Sequence, residues 1–146
     1  MSGPTDPAEE HFDKGLWGWD LTQWRKLPMV WGYSDRYAER VYDTTMPAGN
    51  SNLTGTAVPA GETWRITGLA LLRDGATCTE MRVHVNCGGT VLEPVNVLNP
   101  TANQLYPFVT DFTLKAGDYL YCRYYGMTLN DDAYLFIWGY KMAIAE

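Results

Sequence analysis

Basic residues, histidine, paired cysteines and long apolar runs are all scarce in this 146-residue chain. Eleven Lys and Arg stand against seventeen Asp and Glu, a net charge of −6. Nucleic acid is gripped by clustered cations on its phosphates, so the expectation is a chain with no nucleic-acid partner. There are two histidines, His11 and His84, and neither stands at ligand spacing from a Cys, Asp or Glu cluster. No metal and no cofactor are therefore expected, and Asn130-Asp131-Asp132 reads as a turn rather than part of a calcium loop. The three cysteines, Cys78, Cys87 and Cys122, are odd in number and form no C-x-x-C pair. Buried free thiols are one expectation, and a disulfide among them, within or between chains, is the other. No stretch approaches the ~18 apolar residues of a membrane span. The polar stretch Met1–Lys14 lacks the apolar run of a signal peptide, which points to a product of the cytosol or of a particle assembled there. G-x-S-x-G, H-E-x-x-H and P-loop patterns are missing, and the acids sit mostly in turns and termini. No catalytic residue is nominated, and the chain is not expected to be an enzyme.

Aromatic residues are abundant instead: 6 Trp, 10 Tyr and 4 Phe, 14% of the chain. Rings bury much area at little rotamer cost, so this composition suits a protein that adheres to something. Residues 1–45 read as an extended, Trp-rich N-terminal arm and residues 46–146 as one β-sandwich domain. The first fifteen residues are rich in Pro and acids. Residues 16–33 then hold Trp17, Trp19, Trp24, Trp31 and Tyr33, nominated as the binding arm, with Gly18, Gly32 and Pro28 discouraging a continuous helix. Ser34–Val41 is compatible with a single helical turn capped by Ser34. Residues 44–60 read as a loop or weak edge strand. Rings so dense must be covered, either by the chain's own sheet or by a neighbouring subunit.

From Glu62 onward the period is two. Glu62–Leu72 starts with Trp64 and Ile66 facing one way, and Gly68 falls where a bulge would switch faces. Glu80–Cys87 alternates with Met81, Val83, Val85 and Cys87 inward and Arg82, His84 and Asn86 outward. Gly88-Gly89 makes a tight hairpin. Strands follow at Leu105–Leu114, Tyr119–Tyr125 and Ala133–Ile144. Six or seven strands at about ten-residue spacing, with no helix-period segment, predict an all-β fold, a single antiparallel sandwich of jelly-roll type. The last two strands carry bulk on both faces. If Leu120, Cys122, Leu135 and Ile137 form the core, then Tyr119, Tyr121, Tyr125, Tyr134, Phe136, Trp138 and Tyr140 need another cover and become the expected subunit interface. The alternative is that one strand is inverted.

The stretch Gly15-Leu16-Trp17-Gly18-Trp19-Asp20-Leu21-Thr22-Gln23-Trp24-Arg25-Lys26-Leu27-Pro28, with Trp31-Gly32-Tyr33-Ser34-Asp35-Arg36-Tyr37, resembles arms in small structural proteins of tailed bacteriophages. Pro59-Ala60-Gly61-Glu62-Thr63-Trp64, Leu114-Lys115-Ala116-Gly117-Asp118-Tyr119-Leu120 and Gly139-Tyr140-Lys141-Met142 are similar to jelly-roll modules of phage head-decoration and tail proteins. That resemblance spans nearly the whole chain and implies a virion protein, often trimeric, with no catalytic residues. The expected role is a capsid decoration, or cement, protein: a homo-oligomer, in the first instance a trimer, bound to the major capsid protein on the particle surface. The alternative is a tail-associated or fibre-head module that stacks host carbohydrate on exposed rings. A cellular trimeric ligand of tumour-necrosis-factor-like shape is a third reading, disfavoured by the start of the chain.

Overall fold

A computed structural model describes residues 17–19, 24–26, 35–75 and 77–143. The chain divides into two units, Met1–Tyr33 and Ser34–Glu146. In the first, β1 (Trp17–Trp19) pairs antiparallel with β2 (Trp24–Lys26), Trp19 opposite Trp24. The second unit begins at Ser34, and its first strand is Asp35–Met46.

That second unit is all-β. Its strands are β3 (Asp35–Met46), β4 (Gly49–Thr54), β5 (Glu62–Arg73), β6 (Glu80–Cys87), β7 (Thr90–Leu98), β8 (Tyr106–Lys115), β9 (Tyr119–Met127) and β10 (Asp131–Ala143). They form two four-stranded antiparallel sheets packed on one another: sheet one in the order β3-β10-β5-β8 and sheet two in the order β4-β9-β6-β7. Only the β6–β7 hairpin stays within one sheet. Every other connection in this unit crosses between the layers. Between the layers lie Trp64, Ile66, Leu69, Leu71, Leu114, Leu135 and Ile137 from sheet one. From sheet two come Leu53, Met81, Val83, Val85, Leu120, Cys122 and Tyr124, all buried. Tyr124 also ties the layers by donating its hydroxyl to the Tyr134 carbonyl at 2.6 Å.

The face switch expected at Gly68 is present. Register shifts between Ile66 and Gly68 against β8 and between Trp138 and Gly139 against β10. Trp64 and Ile66 before it, and Leu69 and Leu71 after it, all end inside. The two small-Gly-acid turns are equivalent and adjacent. Glu62 N–H bonds the Pro59 carbonyl (3.3 Å) and Asp118 N–H the Lys115 carbonyl (2.9 Å). The turns are laced together by Val58 N–H to Asp118 O (2.9 Å) and Gly117 N–H to Val58 O (2.8 Å). The buried Asp118 carboxylate accepts from Gly88 N–H and Lys115 N–H, both at 2.9 Å, pinning the β6–β7 hairpin to the β8–β9 turn.

Two expectations change. Ser34–Val41 holds no helical turn, since Asp35–Met46 is a continuous strand paired with β10 from Asp35↔Lys141 to Tyr42↔Tyr134 and beyond. Its inward positions include Glu39, whose charge hid the alternation. Tyr37 donates its hydroxyl to Glu39, and Glu39 also accepts from Thr56 N–H (3.1 Å) and Thr56 Oγ1 (2.8 Å), which satisfies an acid at a sandwich edge. Burial first, and Glu39 second, push the Tyr37 phenol far above its ordinary pKa. Of the two readings of residues 44–60, the edge strand holds: β4 is the edge of sheet two, bonded to β9. His84 does not face solvent and is 6% exposed.

Candidate functional site

The outer face of sheet one is built from alternate residues of its central strand, β10. Ala133, Leu135 and Ile137 point into the core, so Tyr134, Phe136, Trp138 and Tyr140 point away from it. The strands on either side give these rings their neighbours. Tyr134 lies between Tyr42 and Leu72, Phe136 between Arg40 and Ala70, Trp138 between Ala38 and Gly68, and Tyr140 between Arg36 and Arg65. Tyr42 stacks on Tyr134 (centroids 6.0 Å, 17° between planes), and Tyr134 stacks on Phe136 (6.1 Å, 6°). The Arg40 guanidinium lies 4.8 Å from the centre of the Tyr42 ring. A Cβ on Gly68 would fall inside the Trp138 indole, so the glycine is the floor on which that ring rests. Gly139 is equally constrained, since its Cβ would overlap the Arg65 carbonyl oxygen. Arg65 holds Asp111 in a two-pronged ion pair (2.9 and 3.1 Å) beside this stripe. Tyr42 is 53% exposed, Trp138 39% and Tyr140 44%, so the stripe meets solvent along its length.

Tyr119, Tyr121 and Tyr125 occupy a different surface, the outer face of sheet two. β9 and β10 are consecutive in sequence, but the turn between them crosses the sandwich, so the seven aromatics nominated as one interface split into two opposed faces. Each strand does keep the expected sides: Leu120, Cys122, Leu135 and Ile137 are buried and neither strand is inverted. The sheet-two face is interlocked rather than open. Tyr119 and Tyr121 lie 6.2 Å apart, and Asn86 donates to the Tyr119 hydroxyl at 3.2 Å. The His84 ring stacks flat on Tyr121 (4.6 Å, 5°), and the Arg82 and Arg123 guanidiniums stand 5.6 and 5.2 Å from the Tyr125 ring. Arg82 bonds Glu80 (2.8 Å) and Glu93 (3.1 Å), and the other Glu93 oxygen lies 3.4 Å from His84 Nδ1. Burial holds the His84 imidazole below its ordinary pKa. Arg82 and Arg123 act in the same direction, and Glu93 and Glu80 oppose them.

Cys78, Cys87 and Cys122 all stand as free thiols. Cys78 and Cys122 are buried and Cys87 is half-buried, and burial raises all three above the ordinary thiol pKa. Among the described residues no group of three or more His, Cys, Asp or Glu is placed to hold a metal ion. No helix among them is long and apolar enough to cross a membrane. Trp17, Trp19 and Trp24 fall in β1 and β2, while Trp31 and Tyr33 lie outside the described residues. Sequence reasoning missed Tyr42 and Arg40, because their strand had been assigned to the arm. It also missed Gly68 as the seat of Trp138; a glycine mid-strand opposite a tryptophan is the signal that would have found it. The chain matches no family model and no curated protein sequence.

Proposed function

We propose that this chain is a non-catalytic structural protein of a tailed-phage particle, a jelly-roll module that decorates the capsid as a homo-oligomer. Two features support the jelly-roll type. The two sheet orders interleave early and late strands, β10 beside β3 and β9 beside β4, and all but one connection crosses between layers. The aromatic stripe on the outer face of sheet one carries the functional reading. Half-exposed rings of ~200 Å² leave about 100 Å² each to bury, so Tyr42, Trp138 and Tyr140 offer roughly 7 kcal/mol gross at ~25 cal/mol per Å². One such contact is modest once the cost of association is set against it. An oligomer repeats it on a repeating lattice, and the linked contacts then hold far more tightly than one. Decoration of this kind stabilises a capsid by burying area across its joints.

The test is the position of the protein in imaged particles. Density for the sandwich on the outer head surface, with β10 turned towards the major capsid protein, is the expected result. Density confined to the tail, or none, overturns the capsid reading. A carbohydrate-binding role is the second reading. The outer face of sheet two favours it, because flat rings there are mixed with the hydrogen-bonding groups of Asn86, Arg82 and Arg123. Retention of the isolated protein on a glycan array, lost in Tyr121→Ser, would favour that reading over decoration.

A further inference from the structure

The outer face of sheet one is positively charged in a negatively charged chain. Its cross-strand rows run from Tyr42 and Tyr134 at one end to Arg36 and Tyr140 at the other. β8 completes them, with Pro107 opposite Ala70, Val109 opposite Gly68 and Thr113 opposite Arg65. Arg36, Arg40 and Arg65 stand within these rows, and Asp111 is the one acid among them. Three arginines against one acid give the face +2, where the whole chain carries −6. Beyond the rows, Lys115 stands past the Tyr140 end, and Asp74 and Asp132 past the Tyr134 end.

Two of these cations are uncommitted. Asp111 holds Arg65, whereas neither the Arg36 nor the Arg40 guanidinium meets a carboxylate among the described residues. Arg40 lies over the Tyr42 ring instead. Both arginines are exposed, four positions apart on β3, which is ~13 Å at ~3.3 Å per residue. The row between them is apolar: Ala38, Trp138, Gly68 and Val109. Val109 is 98% exposed and Trp138 39%, so the centre of the face is a bare aliphatic beside a half-open indole.

We propose that this face receives an extended acidic segment of a partner protein, laid along the strands. Its carboxylates, four residues apart, meet Arg36 and Arg40, and an apolar side chain between them covers Trp138 and Val109. The spacing follows from the sheet. Alternate side chains of an extended chain repeat every ~6.7 Å, the same step that separates these rows. Charge complementarity selects an acidic occupant over a basic one. Nucleic acid suits the face less, because two uncommitted cations are few and a chain of −6 repels polyphosphate. Sugar suits it less, because Ala38, Gly68 and Val109 offer no side-chain hydrogen-bonding group. The inference rests on the docking role of the aromatic stripe and adds the chemistry of what docks there.

The test is amide NMR of the full chain, titrated to millimolar concentration with a synthetic peptide. The peptide carries aspartate, phenylalanine and aspartate at alternate positions, with threonine between them. Saturating shifts on β3, β10 and β5 are expected. Arg36→Gln/Arg40→Gln should weaken binding about twofold to thirtyfold, the worth of two exposed ion pairs. A peptide with asparagine for aspartate leaves the protein untouched and should show the same loss. Arg123→Gln, on the other sheet, should bind as wild type does. Shifts absent from these strands overturn the proposal, as does binding indifferent to either the arginines or the aspartates. An oligothymidylate or a polygalacturonate that binds this face as tightly as the peptide overturns the choice of a protein segment. A chain that binds the peptide but not capsids overturns only the decoration reading. Capsid binding undiminished in Arg36→Gln/Arg40→Gln overturns this inference and leaves decoration standing.

Discussion

Replacing Gly139 by alanine adds one methyl group at the point where β10 presses closest on β5. The new carbon would overlap the Arg65 carbonyl oxygen, standing 2.9 Å from the Arg65 carbonyl carbon and 3.0 Å from Ile66 Cα. All three are backbone atoms, so no rotamer relieves the contact. The strands must part at the bulge where Trp138 meets Gly68 and Gly139 meets Ile66. Parting them gives up one or two ladder hydrogen bonds at ~1 kcal/mol each and adds an overpacking cost of roughly 1–3 kcal/mol. The expected loss is about 3–4 kcal/mol, a large share of the ~5–15 kcal/mol that holds a typical domain together. Because Trp138 and Tyr140 flank the site, their exposed rings should also lose their fixed positions. Urea unfolding followed by tryptophan fluorescence measures the loss, with Gly88→Ala as the comparison, since its Cβ meets open space and its cost is only the roughly 1 kcal/mol of an L side chain at positive φ. A Gly139→Ala midpoint equal to that of Gly88→Ala would refute the reasoning, because the close approach would then not constrain the fold.

Three further outcomes follow from the same geometry. His84 is neutral and its pKa is lowered by burial, so the unfolded chain takes up the proton first as pH falls through about 6.5. The stability contributed by the neutral ring is therefore full above that pH and lost as pH drops towards the folded pKa. His84→Phe, which keeps a ring on Tyr121, should flatten the dependence of the urea midpoint on pH, and an unchanged slope would exclude His84 as its source. Cys122 is fully buried with a raised pKa and should resist a thiol reagent in the native protein while half-buried Cys87 reacts. Mass spectrometry of the labelled chain reads this, and prompt native labelling of Cys122 would contradict the packing. Asp118→Ala strands two backbone N–H groups and should cost about 2–4 kcal/mol, against less for Asp118→Asn. Equal midpoints for the two variants in denaturant titration would argue against the pin.

Most strands after Glu62 were legible because each buries one face, and period two survives in their sequences. β3 was not, because Glu39 occupies an inward position and is satisfied by Tyr37 and Thr56 rather than excluded. A hydrophobic pattern cannot announce an acid whose partner lies seventeen residues away. His84 was misplaced for a related reason. Its outward parity on β6 was read correctly, yet Tyr121 and the charged groups around it close over the ring. The candidate surface was half legible. Alternation along β10 named Tyr134, Phe136, Trp138 and Tyr140, but alternation carries no information about which sheet a strand joins. The rings of β9, equally periodic, were therefore merged with a surface on the far side of the sandwich. Tyr42 completes the stripe only through the β3–β10 register, a pairing of residues 92 positions apart.

Binding of the full chain to undecorated capsids tests the central claim most directly. Co-sedimentation of wild type and of a Tyr42→Ser/Trp138→Ser/Tyr140→Ser variant, matched for urea midpoint, compares the stripe with its absence. The account predicts saturable binding by wild type and a loss of at least a hundredfold in the variant, about 2.7 kcal/mol of the roughly 7 kcal/mol gross. Equal binding by the two proteins would contradict it.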